Sequence, residues 1–297
     1  MIVSSPHRDL NPPPEPLGPD SLVWRLGFPR TGLLLAGRAL VLQTAHPVVG
    51  AGVRDHSTFT EDPWGRLDRT LRSLQLQLFG GEAASVEASR LRELHRSMTG
   101  IGFDGLAYRA LDPEAYAWVH LTNFDTTLAY HRWFGPSLGR SEQEQLYGEW
   151  RRVGLVLGVR DHRMPSDLAG CRAYVRDMVS STLVDNETVH ALLASLSLSG
   201  VAPPPGWLPA PVWRALRPLG GSFLRDATVG TLPGALRDRL GLRWGTLDRS
   251  RLQAAAALIR TVSAPLPDRL AQYPAGARAR SAARQHGSRP ERGSAAA

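Results

Sequence analysis

Apolar residues recur at helical spacing along most of the chain. In "RLRELHRSMTG" (90–100), Leu91, Leu94, His95 and Met98 follow the i, i+3, i+4, i+7 pattern of a buried stripe, and Gly100 stands where such a helix would end. An imidazole therefore takes a place on an apolar face. Upstream, Leu67, Leu71, Leu74 and Leu78 repeat the spacing after Asp62 as N-cap and Pro63 as first helical residue, and Gly80 and Gly81 close the segment. "LLLAGRALVLQTAHPVV" predicts a buried helix, and "GAGVRDHSTFTE" a linker after it. Asp112 and Pro113 predict a helix to about Phe134, and a capping-box pattern of Ser141 and Glu144 predicts the next, to about Leu157. Further starts fall at Ser166 and Asp185. "VAPPPGWLPAPVW" predicts a proline-rich crossing partly buried through Trp207 and Trp213, before last helices in "LPGALRDRLGLRW" and "TLDRSRLQAAAALIRTV". No stretch alternates as a half-buried strand would. The expected fold is all-α, a single large helical domain over 23–272. A proline-rich arm (1–22) precedes it, and a disordered Arg/Ala-rich tail (273–297) follows.

Composition narrows the partners. At 297 residues the chain can enclose a sizeable ligand. The formal charge of +8 suggests nucleic acid, but every basic residue is arginine, the arginines are interspersed with acids, and the segment after Pro274 carries half the surplus. The body is only mildly basic, so no nucleic-acid partner is expected. One cysteine, Cys171, excludes an intramolecular disulfide and a cysteine-cluster metal site. No basic start followed by an apolar core marks a secretory leader. The most apolar run, Leu33 to Val49, is interrupted by Arg38, Gln43, Thr44, His46 and Pro47, so no integral membrane span is expected. These features point to a cytoplasmic protein and leave its oligomeric state open.

The chain lacks a phosphate loop ending in lysine, HExxH, GxSxG and any paired carboxylates at a diagnostic spacing. Histidine, arginine and threonine on apolar helices remain. On position alone, His95 is either a satisfied core histidine or a ligand to something bound in the core. Arg92 lies one turn before it and can reach a carboxylate. Arg66 and Thr70 share a helical face, where an arginine also snorkels to solvent and a threonine back-bonds to its own turn. His46, before Pro47, is either a helix terminus or a residue lining a cavity. His56 falls in a loop, His120 in a polar network with Asn123 and Asp125, and His131 and His190 on ordinary helical positions.

The segments "LVLQTAHPVVGAGVRDHSTFTEDPWGRLDRT", "LFGG", "LRELHRSMTG", "YRALDPEAYAWVHLT" and "YGEWRRVGLVLGV" occur in that order. Over about 25–260 the set resembles the MpaB-like oxygenase or rubber-oxygenase catalytic domain family, which includes the bacterial latex-clearing proteins. The resemblance implies an all-helical domain enclosing a b-type haem, with dioxygen activated opposite a proximal histidine. An Arg-x-x-His motif falls on Arg92 and His95, which makes His95 the implied iron ligand, and a distal Arg-x-x-x-Thr pair falls on Arg66 and Thr70. Arg69 stands where the latex-clearing relatives carry a lysine, and a guanidinium is a poor iron ligand. The resting iron is then expected to be five-coordinate, water-bound, or ligated by a histidine such as His46. The implied substrate is a lipophilic small molecule, an isoprenoid or other alkene. The alternative classes are a haem sensor or carrier without turnover, and a cofactor-free interaction protein.

Overall fold

Prolines and short polar side chains set most of the helix starts. The computed structural model describes residues 14–58, 61–204 and 208–288; the expectations for Trp207 and for most of the arm and distal tail lie outside them. From the N-terminal side come α1 (Leu22–Leu26), a 3-10 turn (Arg30–Leu35), α2 (Ala36–Thr44), α3 (Pro47–His56), α4 (Pro63–Phe79) and α5 (Glu82–Arg96). A hairpin follows, with β1 (Thr99–Ile101) antiparallel to β2 (Ala107–Arg109) and Gly100 opposite Tyr108. Then come α6 (Pro113–Trp133), α7 (Arg140–Leu157), α8 (Leu168–Ser181), α9 (Glu187–Ser195), α10 (Ala210–Thr231), α11 (Gly234–Arg239), α12 (Thr246–Ser263), α13 (Asp268–Ala271) and α14 (Pro274–Gly287). The fold is all-α; the hairpin forms the one sheet among the described residues.

Helix α6 is the axis of the packing. Its Asp112 N-cap accepts from the amides of Glu114 and Ala115 at 3.0 and 2.9 Å, and Pro113 is the first residue inside. Leu121 and Phe124 enter the core shared with α1, α4, α5, α7 and α8; Trp118 enters a second with α2, α8, α9 and α11; Tyr130 enters a third with α10 and α12. Trp118 is wholly buried, and its indole N–H donates to the Leu42 carbonyl at 2.9 Å, the partner a buried indole requires. Because α6 is buried on several sides, it carries no single apolar stripe.

Several sequence expectations are corrected. The Leu33–Val49 run is not one helix: the chain bends by 110° between Arg30–Thr44 and α3, because Pro47 has no amide to donate and starts α3 instead. The "GAGVRDH" stretch continues α3 to His56 rather than serving as a linker. Helix α5 ends at Arg96, four residues before Gly100, which joins β1. Three starts shift by one or two residues: Gly139, with Glu142 accepting from its amide at 2.8 Å, replaces Ser141 with Glu144, and Asp167 and Asn186 cap α8 and α9 in place of Ser166 and Asp185. In both of the latter cases the neighbouring side chain is the one that reaches the amide three residues on.

Helix α10 begins inside the stretch expected as a proline-rich crossing and runs on through residues to which the sequence assigns no element, across Pro218, Gly220 and Gly221. Gly221 is instead a contact: a Cβ there would lie 2.4 Å from the Ser197 carbonyl oxygen. The tail expected to be disordered is helical through Gly287. Its Gly276, Ala279 and Ala283 are small enough to bring α14 against the body, and Arg280 and Arg284 pair with Asp268. A Cβ on Gly276 would meet the Phe28 backbone nitrogen at 2.4 Å. Gly276→Ala is therefore expected to destabilise by about 1–3 kcal/mol through overpacking, read as a lowered urea midpoint; an unchanged midpoint would mean that α14 does not dock. No single helix among the described residues is long and apolar enough to cross a membrane.

Candidate functional site

Helices α4 and α5 form an antiparallel hairpin turned at Gly80 and Gly81. Its register is pinned by Glu87, a buried carboxylate that accepts from Ser73 Oγ at 2.5 Å and from both Nε and Nη2 of Arg90. The Arg90 guanidinium beside it holds the Glu87 carboxyl below the usual range. The same register sets Arg66, near the start of α4, level with Leu94 and His95 near the end of α5. Two of the residues singled out in the sequence, 29 positions apart, are thus brought to the open end of one hairpin.

The stripe itself is less buried than its spacing suggests. Leu94 is 47% exposed, and Leu91, His95 and Met98 are half-buried, because this end of α5 faces the first turn of α6 rather than the centre of the core. His95 lies edge-on to Tyr116 of α6, with ring centroids 6.4 Å apart. Its Nδ1 is buried and completes no hydrogen bond. Burial lowers the pKa of the ring; the Leu91 carbonyl, one turn back but outside hydrogen-bonding geometry, opposes this, and Arg90 adds to it. The imidazole is therefore neutral at physiological pH, the form that can donate a lone pair to a metal.

The other residues of the set fall as follows. Arg66 is half-buried, and burial, then Arg69, lowers its pKa; among the described residues its guanidinium makes no hydrogen bond or ion pair. Thr70 is exposed and donates to the Arg66 carbonyl of its own helix at 2.9 Å. Arg69, also exposed, reaches back to Asp62 at 3.2 Å. Arg92 donates to the Leu157 carbonyl at 3.0 Å, where the Tyr116 hydroxyl also donates at 3.2 Å, so the two close the C-terminus of α7 beside the left-handed Gly158. His46 caps α3 from a position 4% exposed, with neither ring nitrogen hydrogen-bonded. Burial pulls its pKa down to about 4, against the opposing pull of Asp112. Asp112 and Tyr116 both belong to the start of α6, which therefore borders both His46 and His95.

His120 has the satisfied network expected of it, though with other partners. Nε2 meets the Trp150 carbonyl at 2.9 Å while Trp150 Nε1 donates to the His120 carbonyl at 3.1 Å, and burial holds the ring near pKa 4. These two histidines make stability depend on pH. Above about 6.5 neither state is protonated at them; as pH falls from there toward 4, the unfolded chain binds protons that the folded chain refuses. Each histidine is expected to remove roughly 3 kcal/mol of stability across that window. Urea midpoints at pH 7.5 and 4.5 test this. His46→Gln should show a shallower loss than the parent, and an identical slope in the two proteins would contradict the buried neutral state.

An apolar cavity of about 180 Å³ lies elsewhere, against the Leu71, Leu74 and Leu78 face of α4, with Phe28, Asn123 and Trp150 among its walls. None of Arg66, Thr70, Arg92, His46 and His95 lines it. The sequence also leaves unremarked the pairing of buried Arg38 with half-buried Asp125, 2.6 Å apart, which ties α2 to α6. The signal was present: an arginine inside the most apolar run of the chain requires a partner.

The family model for "ER-bound oxygenase mpaB/B'/Rubber oxygenase, catalytic domain" matches residues 24–261. The chain belongs to this family. The oxygenase domain is also 23% identical over 242 residues to uncharacterized proteins of Mycobacterium bovis and Mycobacterium tuberculosis, an alignment covering 80% of this chain and 91% of each relative. No solved structure matches it.

Proposed function

We propose that this oxygenase domain depends on haem b, which His95 would hold through its iron, and acts with dioxygen on a lipophilic small molecule such as an isoprenoid or another alkene. The observation that carries the reading is the state of His95 inside the matched family region: burial keeps the imidazole neutral, and among the described residues no protein group completes a hydrogen bond to either ring nitrogen. Among the described residues no three His, Cys, Asp or Glu side chains are grouped to hold a metal ion by themselves. A porphyrin supplies four ligands of its own and asks the protein for one imidazole.

The residues present fit such a group. Bound haem would supply the iron at which dioxygen is activated. His95 would hold it through a ring nitrogen that no protein group occupies among the described residues. Arg66 carries a full set of guanidinium donors for a propionate or a polar oxygen. Thr70 and Arg92 contribute by shaping α4 and by closing α7 against Tyr116. His46 stands as a second neutral imidazole on the other side of the α6 start. The apolar cavity, which none of these residues lines, suits a hydrocarbon chain.

Hemin titrated into the purified protein should give a Soret band that saturates at one equivalent. A folded protein whose spectrum shows only free hemin would end this reading. Oxygen uptake that depends on an added lipophilic alkene separates an enzyme from a haem carrier.

A further inference from the structure

The face of α6 opposite the apolar cavity borders a second, larger cavity of about 490 Å³. We propose that it is a binding site for a small organic dianion, a phosphate monoester or a dicarboxylate, independent of the iron site. Three guanidinium groups, Arg38, Arg132 and Arg172, line it against one carboxylate, Asp125. The lining therefore carries a surplus of two positive charges. Arg38 is buried and donates from Nε to the Thr231 carbonyl at 3.0 Å, from Nη1 to Thr126 Oγ1 at 3.3 Å and from Nη2 to Asp125 at 2.6 Å, which leaves two of its five N–H groups unused. Arg172 donates one N–H to Gln143 Oε1 at 2.6 Å. Arg132 makes no hydrogen bond or ion pair among the described residues.

These groups differ in their freedom in a way that suits a ligand. Arg38 is fixed at the base by helices α2 and α6 and by the Thr231 carbonyl at the end of α10, whereas Arg132 and Arg172 are exposed at the mouth. A fixed guanidinium below two mobile ones can receive an anion and then close over it with charge-assisted, bidentate contacts. His131 also lines the cavity; it donates from Nδ1 to the Pro136 carbonyl at 2.8 Å, and burial lowers its pKa, so the ring adds no charge to the lining. Glu142 is close enough to act on His131 but is engaged by the Gly139 amide and does not line the cavity. Leu128, Trp133 and Leu138 make part of the wall apolar. That wall has nothing to offer an inorganic ion, so the ligand carries its two charges on an organic body.

Calorimetric titration of the full chain with inorganic phosphate, phenyl phosphate and phthalate tests the proposal. Phenyl phosphate or phthalate is expected to bind at least about ten-fold more tightly than inorganic phosphate, and the better of the two identifies the head group. The exposed double variant Arg132→Gln/Arg172→Gln, with an unchanged circular dichroism spectrum, should weaken that binding by at least about ten-fold. Arg214→Gln/Arg225→Gln, on the exposed surface of α10, should leave it unaltered. Absence of binding, equal affinity for all three probes, or binding that survives the first double variant or falls equally with the second overturns the assignment. Because no readout involves hemin, failure here is separate from failure of the haem reading.

Discussion

Alanine in place of His95 is expected to remove the Soret band of the hemin-loaded protein and to weaken hemin binding by at least about 100-fold. Loss of a partner that merely supports a metal ligand already costs about 10–100-fold, and here the ligand itself is removed. The fold should survive, because the ring is half-buried and makes no hydrogen bond that the core depends on. The change in stability is expected to stay within about 1 kcal/mol. Thermal melting of the apo variant therefore serves as the control, and added imidazole should restore a band by occupying the space that the side chain leaves. If His95→Ala binds hemin as the parent does and His46→Ala does not, the ligand is the deeper histidine, whose two ring nitrogens are both buried without partners.

The second large effect concerns stability. Arg38→Met is expected to cost about 1–3 kcal/mol, because it leaves the Thr231 carbonyl without its donor and the half-buried Asp125 carboxylate without its cation. Arg38→Met/Asp125→Leu should recover most of the loss, since a partly buried ion pair is worth little against well-packed apolar residues while half of one is costly. Urea midpoints of the parent, the two single variants and the double variant give the coupling between the residues directly. A double variant as unstable as Arg38→Met would show that the arginine acts through its contacts to Thr126 and Thr231 rather than through Asp125.

The legible and illegible parts of this protein divide by the range of the interactions involved. Helical period, proline at the first turn and a short polar cap are local properties, so α4, α6 and α7 could be read within a residue or two, and with them the all-α class. The order of the motifs also pointed to the oxygenase family, which the match over residues 24–261 shows. Elements whose existence depends on distant contacts were not legible. Helix α10 keeps Pro218 and two glycines because Gly221 lies against Ser197, and α14 is helical because its small residues pack on α1 and its arginines meet Asp268. Spacing placed His95 on an apolar stripe, but its degree of burial, its edge-on contact with Tyr116 and the engagement of Arg92 at the end of α7 follow from how α5, α6 and α7 converge. The sequence by itself determined where α4 and α6 begin, which residue types could hold an iron and which family the chain joins. Only the tertiary structure decided which of those side chains are already satisfied, and that Arg38, Arg132 and Arg172 share one cavity, because hydrogen-bond satisfaction and convergence of charge depend on residues far apart along the chain.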